Sequence, residues 1–376
     1  MSQRQRTFRA RLWNFVKLLI VPLFIINICE LLSMRLFKLP PSAYPTCYSI
    51  AASMELTPEN ISAIEVNGPI PLEDILLSEE KPTPGMTIFF LETSCPCSEN
   101  DFNFSTLSSR QACAIESAAL HNPNLDIYVI FACPHFRYRF DPIMDVILSY
   151  RNIRLRRVNL WRFGEDTPLE DWMWQEELFS ARFLMNNISN LLRLLCLYHF
   201  GGIYMDLDVI VLRSFENQLS NFVGAEAKQY ISNAVIGLES NGFGHKLAEL
   251  LLRDFEENFN GDIWAHNGPR NILSVMTQIC GTNNVSLMET NRYQCQGVKV
   301  FNHKAFFEIQ GYHWAHFFEP KYANKTLLRL RNSYLTHIWN RYSTKRSLRV
   351  DSNAAYIQLA RRHCPRVLAI TKEYFD

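Results

Sequence analysis

Residues Gly201 to Leu212 read GGIYMDLDVIVL, with two carboxylates set two residues apart in an otherwise apolar run. The strand period of two puts Asp206 and Asp208 on the same side of the chain. There two ionised groups repel, and neither is buried without cost unless it has a partner. A hard divalent cation, manganese or magnesium, held by the carboxylates and by phosphate oxygens, removes that conflict. The run Ile203 to Leu212 is therefore expected to form one strand that carries a metal site. Its setting strengthens the reading. From Arg182 to Phe200 apolar residues recur at helical spacing (Phe183, Ile188, Leu191, Leu192, Leu195), and Gly201-Gly202 stops that helix directly before the strand. Ligands of open α/β sheets gather at such strand ends.

Working outward, Thr87 to Glu92 (TIFFLE) reads as a strand, Gln111 to Leu120 as a helix and Asp126 to Cys133 (DIYVIFAC) as a second strand. Ile153 to Leu160 is a further strand. This alternation predicts an α/β fold with a mostly parallel sheet. Lys246 to Phe259 and Gly268 to Ile279 read as helices, the second opened by Asn267 as cap with Pro269 in its first turn. One catalytic domain is expected over 87–376, with no internal repeat.

Ahead of it, residues 33–86 are rich in proline from Pro40 to Pro84 and read as a stem. Residues 12–32 are apolar and read as a single transmembrane signal-anchor, although Lys17 and Pro22 interrupt it. Arg4, Arg6, Arg9 and Arg11 mark residues 1–11 as a cytosolic tail, which makes the topology type II and the rest lumenal. No small-x-small cleavage pattern follows the apolar core. The short span suits a thin early-secretory membrane, and the Golgi is the expected location. Sequons at Asn60, Asn103, Asn187, Asn284 and Asn324 all follow the anchor, as do nine of the ten cysteines. Cys95, Cys97, Cys113 and Cys133 cluster as disulfide candidates, since nothing completes a zinc site around Cys95-Pro96-Cys97. The formal net charge is +1 with no basic block, so nucleic acid is not an expected partner.

Five blocks carry a resemblance to a known family: FFLETSCPC (Phe89 to Cys97), ISNLLRLLCLYHFGGIYMDLDVIVL (Ile188 to Leu212), NAVIGLE (Asn233 to Glu239), WAHNGP (Trp264 to Pro269) and HIWN (His337 to Asn340). In these the chain resembles the α1,4-glycosyltransferases, from about Thr87 to the C-terminus. The resemblance implies a GT-A fold, UDP-Gal or UDP-GalNAc as donor, retention of anomeric configuration and a glycolipid acceptor at the Golgi membrane. Homo-oligomerisation stays open. Carried onto these positions, Asp208 is the principal metal ligand and Asp206 bridges metal and donor ribose. Arg193 lies near the donor sugar and diphosphate, or else in an ordinary salt bridge. Asn190 stands where the family commonly has Asp in a Ser-Asp-x-x-Arg pattern, which leaves the donor sugar open. His337 is a candidate third metal ligand, with a purely structural histidine as the alternative. Trp339 is a candidate diphosphate contact through its indole N–H. Tyr204, Glu92, Asn267 and Gly268 complete the expected donor contacts, with plain helix capping as the other reading of Asn267. No nucleophile is named, and front-face substitution is implied. Glu226 and Glu239 are candidates to orient the acceptor, or are solvated acids. Two rival functions stand beside this one. The first is a non-catalytic lumenal carbohydrate-binding protein. The second is a metal-dependent hydrolase or phosphatase, which would need a second cluster of acids or histidines that the sequence lacks.

Overall fold

The computed structural model describes residues 47–48, 51, 68–95, 104–175, 177–218 and 220–376. The tail, the anchor at 12–32, most of the 33–86 stem, Asn60, Cys97 and Asn103 lie outside them. Among the described residues no helix is long and apolar enough to cross a membrane.

The centre is a seven-stranded sheet. In chain order its strands are β1 (Thr87–Glu92), β2 (Asp126–Phe131), β3 (Ile153–Arg157), β4 (Gly202–Met205), β6 (Phe222–Ala227), β7 (Tyr230–Leu238) and β8 (Lys299–Phe301). A short separate pair joins β5 (Val209–Val211) to β9 (Leu335–His337). Across the main sheet the order is β8-β6-β7-β4-β1-β2-β3. β1, β2, β3 and β4 run parallel, and β7 is antiparallel to both of its neighbours. The expected mostly parallel sheet is present.

Alternation along β1 and β2 explains why the sheet is covered on both faces. Phe89, Leu91, Tyr128 and Ile130 belong to one buried cluster, with Ile188, Leu191, Leu192 and Leu195 of helix α2 (Leu184–Phe200). Ile88, Phe90, Ile127 and Val129 face the other way, onto Ala112, Ile115 and Ala119 of α1 (Ser109–His121). Strands buried on both faces read as continuous apolar runs, as TIFFLE does. Gly201 and Gly202 both have positive φ (63° and 90°). A Cβ on Gly202 would stand 2.3 Å from the Thr87 carbonyl oxygen. Glycine is needed there because the α2–β4 turn presses directly on β1.

Packing of the globular body begins ahead of Thr87. Leu72 and Ile75 are buried, and the Ile75 and Arg157 amides donate to the carbonyls of Arg157 and Glu73, so this segment lines the outer edge of β3. Its proline-rich, aperiodic sequence hides an edge cover that uses irregular backbone.

Disulfides join Cys95 to Cys133, Cys113 to Cys364 and Cys280 to Cys295. Of the expected cluster, Cys95 and Cys133 pair with each other, while Cys113 ties α1 to the end of a helix over Ala355–His363. Two secondary-structure expectations need correction. The run 203–212 is two strands, not one. The helix expected from Gly268 is a wide π-type turn over His266–Arg270 followed by a helix over Asn271–Cys280. Asn267 caps neither, since its amide accepts from the Asn260 N–H (2.9 Å) and donates to Asn187 Oδ1 (2.9 Å).

Candidate active site

The break between β4 and β5 makes the site. β4 stays paired with β7 through Met205 opposite Val235, and the Asp206 amide still donates to the Ala234 carbonyl at 2.9 Å. The Asn233 carbonyl of β7 accepts from Arg193 Nη1 at 2.7 Å. Beyond the Asp206 bond the chain leaves β7 and turns at Leu207 and Asp208. It then pairs as β5 with β9, which sets His337 opposite Val209. Asp206-Leu207-Asp208 is thus a turn rather than the interior of a strand. The same turn brings in an imidazole from the far end of the chain.

Asp206, Asp208 and His337 each offer a ligand atom, all within 4.8 Å of one another. His337 Nε2 lies 3.0 Å from Asp208 Oδ1 and 3.7 Å from Asp206 Oδ2. The other carboxylate oxygens are held by the protein. Asp206 Oδ1 accepts from the Tyr204 hydroxyl (2.6 Å) and from Arg193 Nη1 (3.1 Å). Asp208 Oδ2 accepts from the Asn340 amide (2.8 Å). One oxygen of each acid is therefore left facing His337. The Trp339 amide nitrogen lies 3.1 Å from His337 Nδ1, beside the ring. Trp339 sits at φ 63° to make that turn.

The electrostatics agree with this geometry. Burial disfavours the His337 imidazolium, but the two carboxylates, Asp208 foremost, outweigh it and push His337 up to about 10. Burial likewise works against the Asp206 carboxylate, yet Arg193 and His337 hold it below its ordinary range. The site thus draws positive charge to the point between its acids. Two carboxylate oxygens and one imidazole nitrogen also form a donor set suited to a divalent ion such as manganese or magnesium.

Asp206 and Asp208 open into a cleft of about 450 Å³ lined also by Leu91, Thr93, Ser189, Arg193 and Trp264. The other expected residues divide. Arg193 lines the cleft but is spent inside the protein, on Asp206, on the Asn233 carbonyl and on Ser189 Oγ (2.8 Å), with Tyr204's ring 4.4 Å below its Cζ. Its ion pair with Asp206 is largely buried rather than a surface one. Asn190 Oδ1 accepts from Asn233 Nδ2 at 2.8 Å, and Gly268 packs against that pair, where a Cβ would meet Asn233 Nδ2 at 2.6 Å. The Trp339 indole N–H donates to the Ile309 carbonyl at 2.7 Å, so it is not available to a diphosphate. Glu92 accepts from the Ser94 amide (2.8 Å) and from Gln111, and does not join the triad. Burial raises the Glu226 carboxyl, with His337 partly opposing the rise. Glu239 accepts from Asn221 at the far end of β7. Sequence reasoning passed over Ser189, Asn233 and Asn340 as site residues. All three sit inside the quoted blocks, but nothing in the blocks says which backbone atom each would hold.

With this geometry in place, known proteins supply the context. The family described as "Alpha 1,4-glycosyltransferase conserved region" matches residues 240–371, and "Glycosyltransferase sugar-binding region containing DXD motif" matches residues 108–227, which contains Asp206 and Asp208. Lactosylceramide 4-alpha-galactosyltransferase of Homo sapiens is 31% identical over 296 residues, 78% of this chain and 79% of its own. Alpha-1,4-N-acetylglucosaminyltransferase of Homo sapiens is 27% identical over 261 residues, 68% of this chain and 74% of its own. A galactosyltransferase solved in complex with donor and acceptor sugar analogues aligns over 76% of this chain and 97% of its own, at 15% identity and a TM-score of 0.40, a likeness too slight to argue from. Identity near one third, sustained over most of both chains and spanning both halves of the cleft, places this chain in the α1,4-glycosyltransferase family.

Proposed function

We propose that the chain is a retaining α1,4-glycosyltransferase of GT-A type that moves a hexose from a UDP-sugar, UDP-Gal or UDP-GalNAc, to a glycosphingolipid in a metal-dependent reaction. The observation that carries this reading is the convergence of Asp206, Asp208 and His337 within 4.8 Å at a cleft beside parallel strand ends. Asp206 Oδ2, Asp208 Oδ1 and His337 Nε2 would hold the ion. When bound, manganese or magnesium supplies Lewis-acid neutralisation of the leaving diphosphate. The protein's part is to fix the ligands: Tyr204 and Arg193 hold Asp206, and Asn340 holds Asp208. Such supporting contacts orient ligands and tune their basicity. Asn190, bound to Asn233 where the family commonly has Asp, leaves the choice between the two donors open, since a neutral amide can hold a sugar hydroxyl but cannot serve as a carboxylate.

Release of UDP from UDP-Gal, UDP-GalNAc, UDP-GlcNAc and UDP-Glc, with manganese and a glycolipid acceptor, is the direct test. Turnover with one donor is expected. A chain that binds sugar but releases no UDP would be the non-catalytic carbohydrate-binding protein.

His337 also sets a pH dependence. Its proton is retained through neutral pH and must leave before Nε2 can bind a metal. Manganese affinity should therefore rise about tenfold per pH unit between pH 6.5 and 8.5, with about one proton released per ion. Calorimetry in buffers of different ionisation heat reads that proton. A flat affinity would remove His337 from the ligand set.

The reading also places the body in the Golgi lumen behind an anchor at 12–32. In intact microsomes added protease should then spare everything after about residue 32, and glycosidase should lower the mass. Asn284 and Asn324 are exposed, whereas Asn187 is buried in α2 and bound to Asn267. Peptide mapping should find Asn187 unmodified. Full occupancy there would contradict the placement of α2.

A further inference from the structure

Across the mouth of the cleft runs a ladder of alternating cations and rings drawn from three separate segments. Arg182 lies over Phe183 (5.3 Å), and Phe183 meets Trp264 edge to face at 5.3 Å and 88°. Arg341 then lies over Trp264 (4.8 Å) and reaches Tyr342 (6.0 Å). Arg182, Phe183 and Trp264 line the cleft itself, as does Asn340, next to Arg341. Trp264 and Tyr342 are 38% and 52% exposed. Large rings left open to water at a cleft rim are not explained by core packing.

We infer that this ladder, centred on Trp264, is the platform for the acceptor glycan's terminal pyranose. The inference rests on the proposed transfer reaction and adds to it where the second substrate docks. A pyranose has one apolar C–H face and a rim of hydroxyls. Aromatic faces take the first, and planar guanidinium groups with several N–H donors take the second. The ladder supplies both in alternation, and with no carboxylate among its members it does not compete for the ion. The ion belongs at the triad's carboxylates, and a diphosphate would approach them through it. The rim is what remains for a molecule that arrives from solvent to meet a donor already seated.

The test titrates the full-length chain in detergent, with UDP and manganese present, with a soluble lactoside followed by ligand-observed NMR, alongside calorimetry of UDP itself. Trp264→Ala should weaken lactoside binding about tenfold or more and raise the acceptor KM in parallel, with UDP affinity in manganese within about twofold of wild type. Trp264→Phe, which keeps a ring, should recover most of that loss, and Arg341→Ala should fall between the two. A wild-type chain that does not bind the lactoside overturns the platform, as does a Trp264→Ala chain that binds it normally. If Trp264→Ala lowers UDP affinity as much as lactoside affinity, the ladder serves the donor and the inference is wrong. The two readings separate cleanly. A chain that releases UDP but is indifferent to Trp264→Ala keeps the transferase and loses the platform. A chain that binds the lactoside through Trp264 but releases no UDP does the reverse.

Discussion

Asp208→Asn should leave the protein folded and reduce sugar transfer about a thousandfold, a loss typical of removing a charge-stabilising group from an active site. Asparagine keeps an oxygen for the Asn340 amide, which Asp208 Oδ2 accepts at 2.8 Å, so the turn that presents His337 survives. What disappears is the negative charge that would share an ion with Asp206. Asp208→Ala should be just as inactive and less stable by about 1–2 kcal/mol, because the Asn340 N–H then loses its acceptor. Manganese at a hundred times its dissociation constant should stabilise the wild type by about 2.7 kcal/mol through binding only the folded state. It should leave both variants nearly unmoved. Thermal melts with and without manganese, set beside transfer rates, read all of this. A well-folded Asp208→Asn protein that transfers sugar at the wild-type rate would end the metal-site reading.

Arg193→Ala should behave differently and lose stability and activity together. The Arg193 guanidinium is buried and bridges Asp206, the Asn233 carbonyl and Ser189. Its removal strands the Asp206 charge and frees a carbonyl that the β4–β7 ladder does not use, and one-sided loss of a buried pair costs about 3–5 kcal/mol. Asp206, no longer held down by its neighbour, should also take up a proton more readily and bind metal more weakly. Arg193→Lys keeps the charge but lacks the planar fork that serves three acceptors, so it should recover only part of the loss. Denaturant midpoints of the three proteins give the order. If Arg193→Ala unfolds with the wild type and loses only activity, Arg193 contacts the donor directly and its ion pair contributes little to the fold.

The contrast between these two residues marks how far the sequence could be read. Asp208 was legible because the anomaly was local, two acids in an apolar run with glycines before them. The helix from Leu184 and the strands at Thr87 and Asp126 were legible for the same reason, since side-chain period is a property of neighbouring residues. Arg193 was named from resemblance alone, and its partners could not be foreseen. Ser189 is one helical turn away, but the Asn233 carbonyl belongs to another strand.

Trp339 shows the same limit from the other side. An indole beside a metal ligand invites a ligand contact, yet its N–H is taken by Ile309, a residue no local pattern connects to it.

By itself the sequence determined the alternating α/β order, the buried faces of the central strands and helices, and the pair of acids that asks for a cation. Only the tertiary structure decided that the acid pair lies in a turn rather than a strand, because the chain leaves β7 after Asp206 and is paired again, by β9, only from Val209. It also decided that His337 completes the triad, because β9 pairs with β5. Periodicity is written in adjacent residues, whereas a site built from hydrogen bonds between distant segments exists only once the whole sheet has set their register.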